Sequence, residues 1–123
     1  MPPTLLIVDD HAAFRSTARA LLECDGWNVV GEAGDGSSGL TAARDLKPDV
    51  VLLDVRLPDI DGFSVAERLT ADGGGPAVIV TSSSDDPLYP DRARSTGACG
   101  FVAKHDLSGD ALQRLLDGRR PPA

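Results

Sequence analysis

Short apolar runs that end on polar side chains recur along this chain and limit its fold more than any other feature. The clearest run is residues 50–53, which ends directly on Asp54 and is followed by a loop marked by Pro58 and Gly62. Four consecutive apolar residues are typical of a strand that is covered on both faces. The sequence therefore predicts a buried strand with Asp54 at its carboxyl end, where the side chain faces solvent.

Four other segments have the composition of strands and complete a regular alternation. They are residues 5–8, 28–33, 77–80 and 100–103. Between them, apolar residues recur every three or four positions, which is the period of a helix with one buried face. Five strands alternating with five helices predict an α/β fold, a doubly wound parallel sheet with helices on both faces in a flavodoxin-like three-layer sandwich. The expected strand order is 2-1-3-4-5.

Polar residues and prolines mark where the helices begin. Asp10, Asp35 and Ser108 each precede a helical pattern, and their short side chains can accept hydrogen bonds from the free N–H groups of a first turn. The fourth helix is less regular, because Pro87 and Pro90 both fall where it should begin and only one proline suits a first turn. We therefore expect a fourth helix that is short, late or kinked.

The chain is acidic, and its charge excludes several classes of partner. Its 123 residues include 12 Lys and Arg against 19 Asp and Glu, a net charge of −7. This charge repels nucleic acid and anionic membranes, so we expect neither to bind this segment directly. No apolar run reaches the roughly 20 residues of a membrane helix and no leader pattern is present, so a cytoplasmic location is expected. Cys24 and Cys99 lack ligand-like spacing and are interpreted as reduced structural thiols.

Three carboxylates are expected to meet at the carboxyl edge of the sheet. Asp9 and Asp10 follow the first strand and Asp54 follows the third, and these strands are neighbours in the expected order. Two like charges about 4 Å apart repel by roughly 4 kcal/mol at an effective dielectric of 20. A magnesium ion would relieve this repulsion, because Mg²⁺ prefers carboxylate, carbonyl and water oxygens. The sequence therefore predicts a Mg²⁺ site formed by these three aspartates.

The same edge carries groups suited to phosphoryl transfer. Thr81 follows the fourth strand and Lys104 follows the fifth. An aspartate held near a metal can attack a phosphoryl group and form an acyl phosphate, while an ammonium and a hydroxyl stabilise charge on the phosphoryl oxygens. Asp54 is therefore the candidate nucleophile, with Lys104 and Thr81 as its catalytic partners. Strand register favours Thr81 as the source of the hydroxyl, with Ser82 as the alternative.

Together these residues resemble the receiver domain of bacterial two-component response regulators. The resemblance runs from Leu5 to about Leu116 and is carried by several short motifs, namely Asp9-Asp10, Asp54 with Leu57-Pro58 and Asp61-Gly62, Thr81, and Gly97-x-x-Gly100-Phe101 before Lys104. The opening Val8-Asp-Asp-His11-x-x-Phe14-Arg15 is similar to the subgroup with a LuxR/NarL-type helix-turn-helix output domain. The resemblance implies one receiver domain, residues 1–118, followed by a disordered tail or the start of a linker at 119–123.

The resemblance implies a phosphorylation switch rather than an enzyme with external substrates. A histidine kinase would transfer a phosphoryl group to Asp54, and the domain would catalyse only this self-phosphorylation and its later autodephosphorylation. Asp10 would bind Mg²⁺ directly, Asp9 through water, and Arg56 through its backbone carbonyl.

The resemblance also implies how the signal leaves the site. Phe101 would turn inward as Thr81 moves toward the phosphate. The face formed by the fourth helix, fifth strand and fifth helix would then engage a downstream protein, an output domain of the same protein, or a second copy in a phosphorylation-linked homodimer. His105 stands where the family often has a proline, which affects only the following turn. His11, as the first helix residue, is expected to point to solvent and is given no role.

Two other functions remain open from the sequence. The first is a Mg²⁺-dependent phosphatase of the haloacid-dehalogenase type, which also uses a nucleophilic aspartate after a strand. Such enzymes place a second aspartate two residues later, where this chain has Arg56. The second is a degenerate receiver that acts as a binding module without phosphorylation, which the complete acidic set argues against.

Overall fold

A parallel sheet of five strands forms the centre of the protein in the computed structural model, which describes residues 3–71, 73–84 and 86–119. In chain order the strands are β1 (Thr4–Val8), β2 (Asn28–Ala33), β3 (Val50–Asp54), β4 (Ala77–Ser82) and β5 (Gly100–Ala103). They are arranged in the order β2-β1-β3-β4-β5, and every pair is parallel. The α/β fold and the strand order expected from the sequence are confirmed.

Five helices cover the two faces of this sheet. They are α1 (Ala12–Cys24), α2 (Gly36–Leu46), α3 (Gly62–Thr70), α4 (Tyr89–Ser95) and α5 (Gly109–Arg119). Helices α2, α3 and α4 contribute buried side chains to one core, and α1 and α5 contribute to the other. We call these the α2–α4 core and the α1–α5 core. Helices on both faces are what right-handed crossovers between parallel strands produce.

The central strands supply both cores because successive side chains of a strand point to opposite faces. In β3, Val51 and Leu53 enter the α2–α4 core, whereas Val50 and Leu52 enter the α1–α5 core. All five residues of β3 are buried, including Asp54 at its end. This explains why the central strands are continuous apolar runs in the sequence rather than alternating ones.

The helix ends follow the predicted caps at two of three places. The carboxylate of Asp35 accepts a hydrogen bond from Ser38 N, and Ser108 Oγ accepts one from Ala111 N. The predicted cap at Asp10 is wrong, because His11 is the N-cap residue of α1 and its side chain makes no capping hydrogen bond. The Asp9 carboxylate takes the nearby His11 N–H instead.

Helix α4 is short, as the two prolines predicted. It has seven residues, and Pro90 lies in its first turn while Pro87 precedes it. Tyr89 anchors the helix, since its ring makes edge-on contacts with Phe63 and Phe101 at centroid distances of 5.6 and 5.7 Å. Edge-to-face aromatic pairs of this kind add to the stabilisation from burial.

Three other features differ from what the sequence pattern indicated. Leu21 and Leu46 lie on the predicted apolar stripes of α1 and α2 but are 38% and 46% exposed, because each lies at the edge of its stripe near a helix end. Helix α5 continues to Arg119, one residue past the expected boundary at 118, since a glycine in the last turn, here Gly118, interrupts few backbone hydrogen bonds. The expected tail or linker stays a prediction. Residues 120–123 lie outside the described part of the chain. A 3₁₀ turn, Lys104–Asp106, was not expected.

Within the described ranges, no helix combines the length and the apolar character that crossing a membrane requires.

Candidate functional site

Three aspartates meet at the carboxyl edge of the sheet, as the strand order predicted. Asp9 follows β1 and is 1% exposed, while Asp54 ends β3 and is 3% exposed. Asp10 lies beside them at the surface. One ligating atom from each aspartate, and one from His11, all lie within 4.8 Å of one another. The fold therefore places two buried carboxylates and one exposed carboxylate around a common point.

Asp54 is buried rather than directed to solvent as the sequence suggested. Burial, followed by repulsion from Asp9, raises its pKa from 3.8 to about 6. The Lys104 ammonium and a backbone hydrogen bond from Arg56 oppose this rise. Burial disfavours the ionised form of a carboxyl group because that form loses its hydration. A cation close to Asp54 would therefore stabilise its charged carboxylate.

Lys104 lies between the two buried carboxylates at the start of the 3₁₀ turn. Its Nζ is 2.7 Å from Asp9 Oδ2 and 3.6 Å from Asp54 Oδ2. The ammonium also lies 4.3 Å from the centroid of the Phe14 ring. A cation over an aromatic face is attracted by the ring quadrupole, so Phe14 helps to hold Lys104 in the site. In the sequence, Phe14 was noted as part of the motif that follows β1, and nothing in its spacing indicated this contact.

Two buried oxygens of the site lack hydrogen bonds within the described residues. They are Asp9 Oδ2, which has only the ionic contact with Lys104, and Thr81 Oγ1. Thr81 is paired with Asp54 in the register of β3 and β4. By contrast, Ser82 Oγ already accepts a hydrogen bond from Ser84 N at 3.0 Å. Buried polar atoms without hydrogen-bond partners are uncommon in proteins, and they often mark the position of a ligand.

His11 lies closer to the acidic cluster than expected. Its side chain is 67% exposed, yet Nδ1 is 3.0 Å from Asp10 Oδ1 and 3.3 Å from Asp9 Oδ1. The expectation that His11 is exposed to solvent is therefore confirmed, but the contact of Nδ1 with the two carboxylates was not expected. The adjacency of His11 to Asp9 and Asp10 in sequence was the available signal, since an extended N-cap residue can turn its ring back over the preceding strand end.

The loop after Asp54 is held by a residue that sequence reasoning missed. The carboxylate of Asp59 accepts hydrogen bonds from Gly36 N and Ser37 N, at 2.7 and 2.9 Å, and thereby binds the N-terminus of α2. These bonds, that of Ser37 first, lower the pKa of Asp59. At the other end of the loop, Gly62 packs against the Asp54 backbone so closely that a Cβ there would overlap the Asp54 carbonyl oxygen. This contact between Gly62 and the Asp54 backbone could not be predicted from the sequence.

Two predicted residues, Arg56 and Phe101, remain to be placed. Arg56 has an exposed side chain and contacts Asp54 through its backbone. Phe101 is half-buried on β5, beside Tyr89. Thr81, Lys104 and Arg56 thus border Asp54, whereas Phe101 belongs to the aromatic cluster under α4.

The donor set suits a hard divalent cation. It consists of three carboxylates, one of them with a buried oxygen that lacks a hydrogen bond among the described residues. One ammonium offsets only part of this negative charge. Carboxylate oxygens are the ligands that Mg²⁺ takes in proteins.

Comparisons with known proteins agree with this geometry. Residues 5–116 match the family model of the response regulator receiver domain. BvgA of Bordetella pertussis is 39% identical over 102 residues, which are 83% of this chain and 49% of that protein. The response regulator GacA of Pseudomonas viridiflava is 38% identical over 112 residues, which are 90% of this chain and 52% of that protein. The chain thus spans about half the length of the curated relatives it matches.

Solved structures give the same result. The signal receiver domain of NarL from Mycobacterium tuberculosis is 34% identical, with a TM-score of 0.84 and 94% of each chain covered. A LuxR-family response regulator from Aurantimonas sp. SI85-9A1 is 27% identical, with a TM-score of 0.86 over 98% of this chain and 89% of that one. Since the family match spans residues 5–116 and such relatives cover most of the chain, the protein belongs to the response regulator receiver domain family.

Proposed function

We propose that this receiver is a phosphoacceptor switch in which a histidine kinase transfers a phosphoryl group to Asp54 in a Mg²⁺-dependent reaction. The observation that carries the proposal is the position of the buried Asp54 carboxylate. Two aspartates lie on one side of it, and an ammonium and a hydroxyl without a hydrogen-bond partner among the described residues border it. A nucleophile, negative metal ligands and donors for phosphoryl oxygens are the parts that phosphoryl transfer requires.

In the proposed reaction, a carboxylate oxygen of Asp54 forms a bond to phosphorus. The N–P bond of the donor phosphohistidine breaks, and its electron pair returns to the imidazole nitrogen. Lys104 and Thr81 donate hydrogen bonds to the oxygens of the transferred group, where charge accumulates. Lys104 lies within 4 Å of both buried carboxylates, so a small rotation carries its ammonium from Asp9 to a phosphoryl group on Asp54.

The metal would be held by Asp10 directly, by Asp9 through water, by Asp54, and by the backbone carbonyl of Arg56. When bound, Mg²⁺ supplies positive charge that offsets the carboxylates and the phosphoryl oxygens. The raised pKa of Asp54 and three carboxylates that share a single ammonium both support a cation at this point. Thr81 is favoured over Ser82 as the hydroxyl donor, because Thr81 is paired with Asp54 in the register of β3 and β4 and its Oγ1 has no hydrogen bond among the described residues.

We further propose that the signal leaves through α4, β5 and α5. Phe101 would turn inward as Thr81 moves toward the phosphate. The partner of this face would be a downstream protein, an output domain of the same protein or a second copy in a phosphorylation-linked homodimer. A kinase donor places the protein in the cytoplasm, and the only catalysis expected is self-phosphorylation and autodephosphorylation. The similarity to the LuxR-family response regulator from Aurantimonas supports an output domain of the LuxR/NarL type.

A phosphatase with external substrates is not favoured. The position two residues after Asp54, where such enzymes carry an acid/base aspartate, is Arg56 with an exposed side chain. Asp59 lies in the same loop, but its carboxylate is occupied by the backbone N–H groups of α2.

The test is incubation with acetyl phosphate and Mg²⁺, followed by intact-protein mass measurement. We expect the wild type to gain one phosphoryl group and Asp54→Asn to gain none. Asp106→Asn, which removes a nearby exposed carboxylate, should gain it as the wild type does. Incorporation that survives in Asp54→Asn would overturn the assignment of the nucleophile. A wild type that takes up no phosphoryl group from acetyl phosphate or from a phosphorylated kinase would instead indicate a degenerate receiver.

A further inference from the structure

His11 is held so that its imidazole faces the acidic cluster. Its backbone N–H donates to Asp9 Oδ1 at 2.8 Å, and its backbone is extended, with φ −93° and ψ 105°. The side chain makes no capping hydrogen bond to α1, so the ring is not committed to the helix. The backbone hydrogen bond therefore fixes the point from which the ring reaches toward Asp9 and Asp10.

The position of Nδ1 is that of an additional ligand. It lies 3.0 Å from Asp10 Oδ1 and 3.3 Å from Asp9 Oδ1, and one of the two ring nitrogens lies within 4.8 Å of a carboxylate oxygen of Asp54. With metal–ligand bonds of about 2.1 Å, neighbouring ligands of an octahedral ion are roughly 3 Å apart and opposite ligands roughly 4.2 Å apart. Nδ1 thus has the spacing of a neighbouring ligand to Asp10, the aspartate of the first strand end that is proposed to bind the metal directly.

A second observation indicates that this cluster is completed by a ligand. Asp9 is 1% exposed, and its Oδ2 has no hydrogen bond within the described residues. The only contact of that oxygen in this part of the chain is the ionic one with Lys104.

An imidazole nitrogen changes which metal an acidic site prefers. Mg²⁺ favours oxygen ligands and readily keeps water in a coordination position. Mn²⁺, Co²⁺ and Zn²⁺ bind imidazole well. For a given site of nitrogen and oxygen ligands, Co²⁺ binds more tightly than Mn²⁺. A site with His11 as a ligand would therefore discriminate in favour of these ions.

We propose that His11 coordinates the divalent metal through Nδ1 and makes the site selective for Mn²⁺ and Co²⁺ over Mg²⁺. The inference rests on the proposed metal site of Asp9, Asp10 and Asp54, and adds to it a nitrogen ligand that determines specificity. The coordinating tautomer carries its proton on Nε2, on the exposed side of the ring.

The test is measurement of metal affinity and of nitrogen coordination in tag-free protein without any phosphoryl donor. Dissociation constants for Mn²⁺ and Mg²⁺ are measured by calorimetry, and the ¹⁴N coupling to bound Mn²⁺ is measured by electron spin echo spectroscopy. We expect His11→Ala to weaken Mn²⁺ binding by about tenfold and Mg²⁺ binding by less than about twofold, because water replaces imidazole at little cost only for Mg²⁺. The imidazole ¹⁴N coupling should disappear.

The chain offers a matched control, since it has two histidines. His105→Ala should retain the ¹⁴N coupling and the preference for Mn²⁺. His11→Asn keeps a residue suited to the N-cap position, and it should lose the coupling as His11→Ala does, which separates coordination from helix stability.

Two outcomes would overturn the inference, and they are distinguishable. If the wild type binds Mn²⁺ but the ¹⁴N coupling is absent, or the ratio of the two affinities is unchanged in His11→Ala, His11 is not a ligand and the proposed function stands. If the wild type binds neither ion, or Asp9→Asn binds both as tightly as the wild type, the metal site itself is wrong and both proposals fall.

Discussion

Asp54 combines a charge with an environment that disfavours charge. Its side chain is 5% exposed and has Asp9 as a neighbour, and these two features account for most of the rise of its pKa to about 6. A carboxylate with a raised pKa in the folded state binds its proton more tightly there than in the unfolded chain. Folding is therefore favoured at low pH and is penalised as the pH rises from about 4 through about 6.

We expect Asp54→Asn to stabilise the metal-free protein at neutral pH. A pKa raised from 3.8 to about 6 corresponds to roughly 3 kcal/mol in the free energy of unfolding. The gain should be fully present above about pH 7 and should vanish below about pH 3, where the carboxyl is protonated in both states. Urea unfolding in EDTA across this pH range measures the difference. An equal difference at every pH would contradict this origin.

Mg²⁺ provides the control for that experiment. A ligand that binds only the folded state raises its stability in proportion to the logarithm of its concentration above the dissociation constant. Addition of Mg²⁺ should therefore stabilise the wild type and have little effect on Asp54→Asn.

At the scale of single residues, residue type and position predicted that the aspartates, Thr81 and Lys104 lie at the carboxyl edge of the sheet, but did not predict their contacts. Phe14 and His11 were both visible in the sequence, but the contact of Phe14 with the Lys104 ammonium and that of His11 with Asp9 and Asp10 were not predicted. Such contacts depend on where a side chain lies across the sheet, which periodicity along one helix does not encode. The burial of Asp54 was missed for the same reason, since the neighbours Thr81, Lys104 and Gly62 come from other parts of the chain.

The loop between β3 and α3 is the element on which the site depends most. Gly62 begins α3 and donates its N–H to Val55 O at 2.8 Å. A Cβ at this position would overlap the Asp54 carbonyl oxygen and lie 2.8 Å from Val55 Cα. Both contacts are with backbone, which cannot move aside as a flexible side chain can. The glycine is therefore required by the close approach of the loop to the end of β3.

We expect Gly62→Ala to lower the free energy of unfolding by on the order of 3 kcal/mol, the upper range for an overpacked site. Gly74→Ala is the matched control, because a Cβ at Gly74 would meet no atom within 4 Å. That variant should change stability by less than about 0.5 kcal/mol. Chemical unfolding of the two variants beside the wild type measures both effects. Comparable losses in both would show that glycine flexibility, and not the contact, matters at Gly62.

Element types were predictable because the periods of strand and helix differ, and the two prolines correctly indicated a short α4. The boundaries of the helices and strands were less predictable than their types. The start of α1 depends on which atom accepts the His11 N–H, and the end of α5 depends on a glycine that a last turn tolerates. The 3₁₀ turn at Lys104 has no periodic pattern of its own.

The whole molecule consists of two cores divided by one sheet. Leu53 lies in the α2–α4 core and Leu52 in the α1–α5 core, and both are at most 1% exposed. Trp27, which is the only tryptophan of the chain, belongs to the α1–α5 core. Its fluorescence therefore reports on one face directly, while circular dichroism reports on helices of both faces.

We expect the two faces to unfold together. Leu53→Ala and Leu52→Ala should each lower the free energy of unfolding by about 2 to 5 kcal/mol. The fluorescence and circular dichroism transitions should coincide in both variants, because the strands share their hydrogen bonds across both cores. A Leu53→Ala transition that appears by circular dichroism before Trp27 responds would mean that the α2–α4 face opens on its own.

The two hydrogen bonds that the first turn of α2 donates to the Asp59 carboxylate have a mechanical consequence. They make the carboxyl edge of the sheet stiff on the side of β1 and α2, because the loop after Asp54 cannot shift without breaking two backbone contacts. On the opposite side, β4 ends in a serine-rich loop that leads to the seven-residue α4. An elastic body deforms where it is most compliant, so a strain created at Asp54 would be released toward α4 and not shared equally around the site.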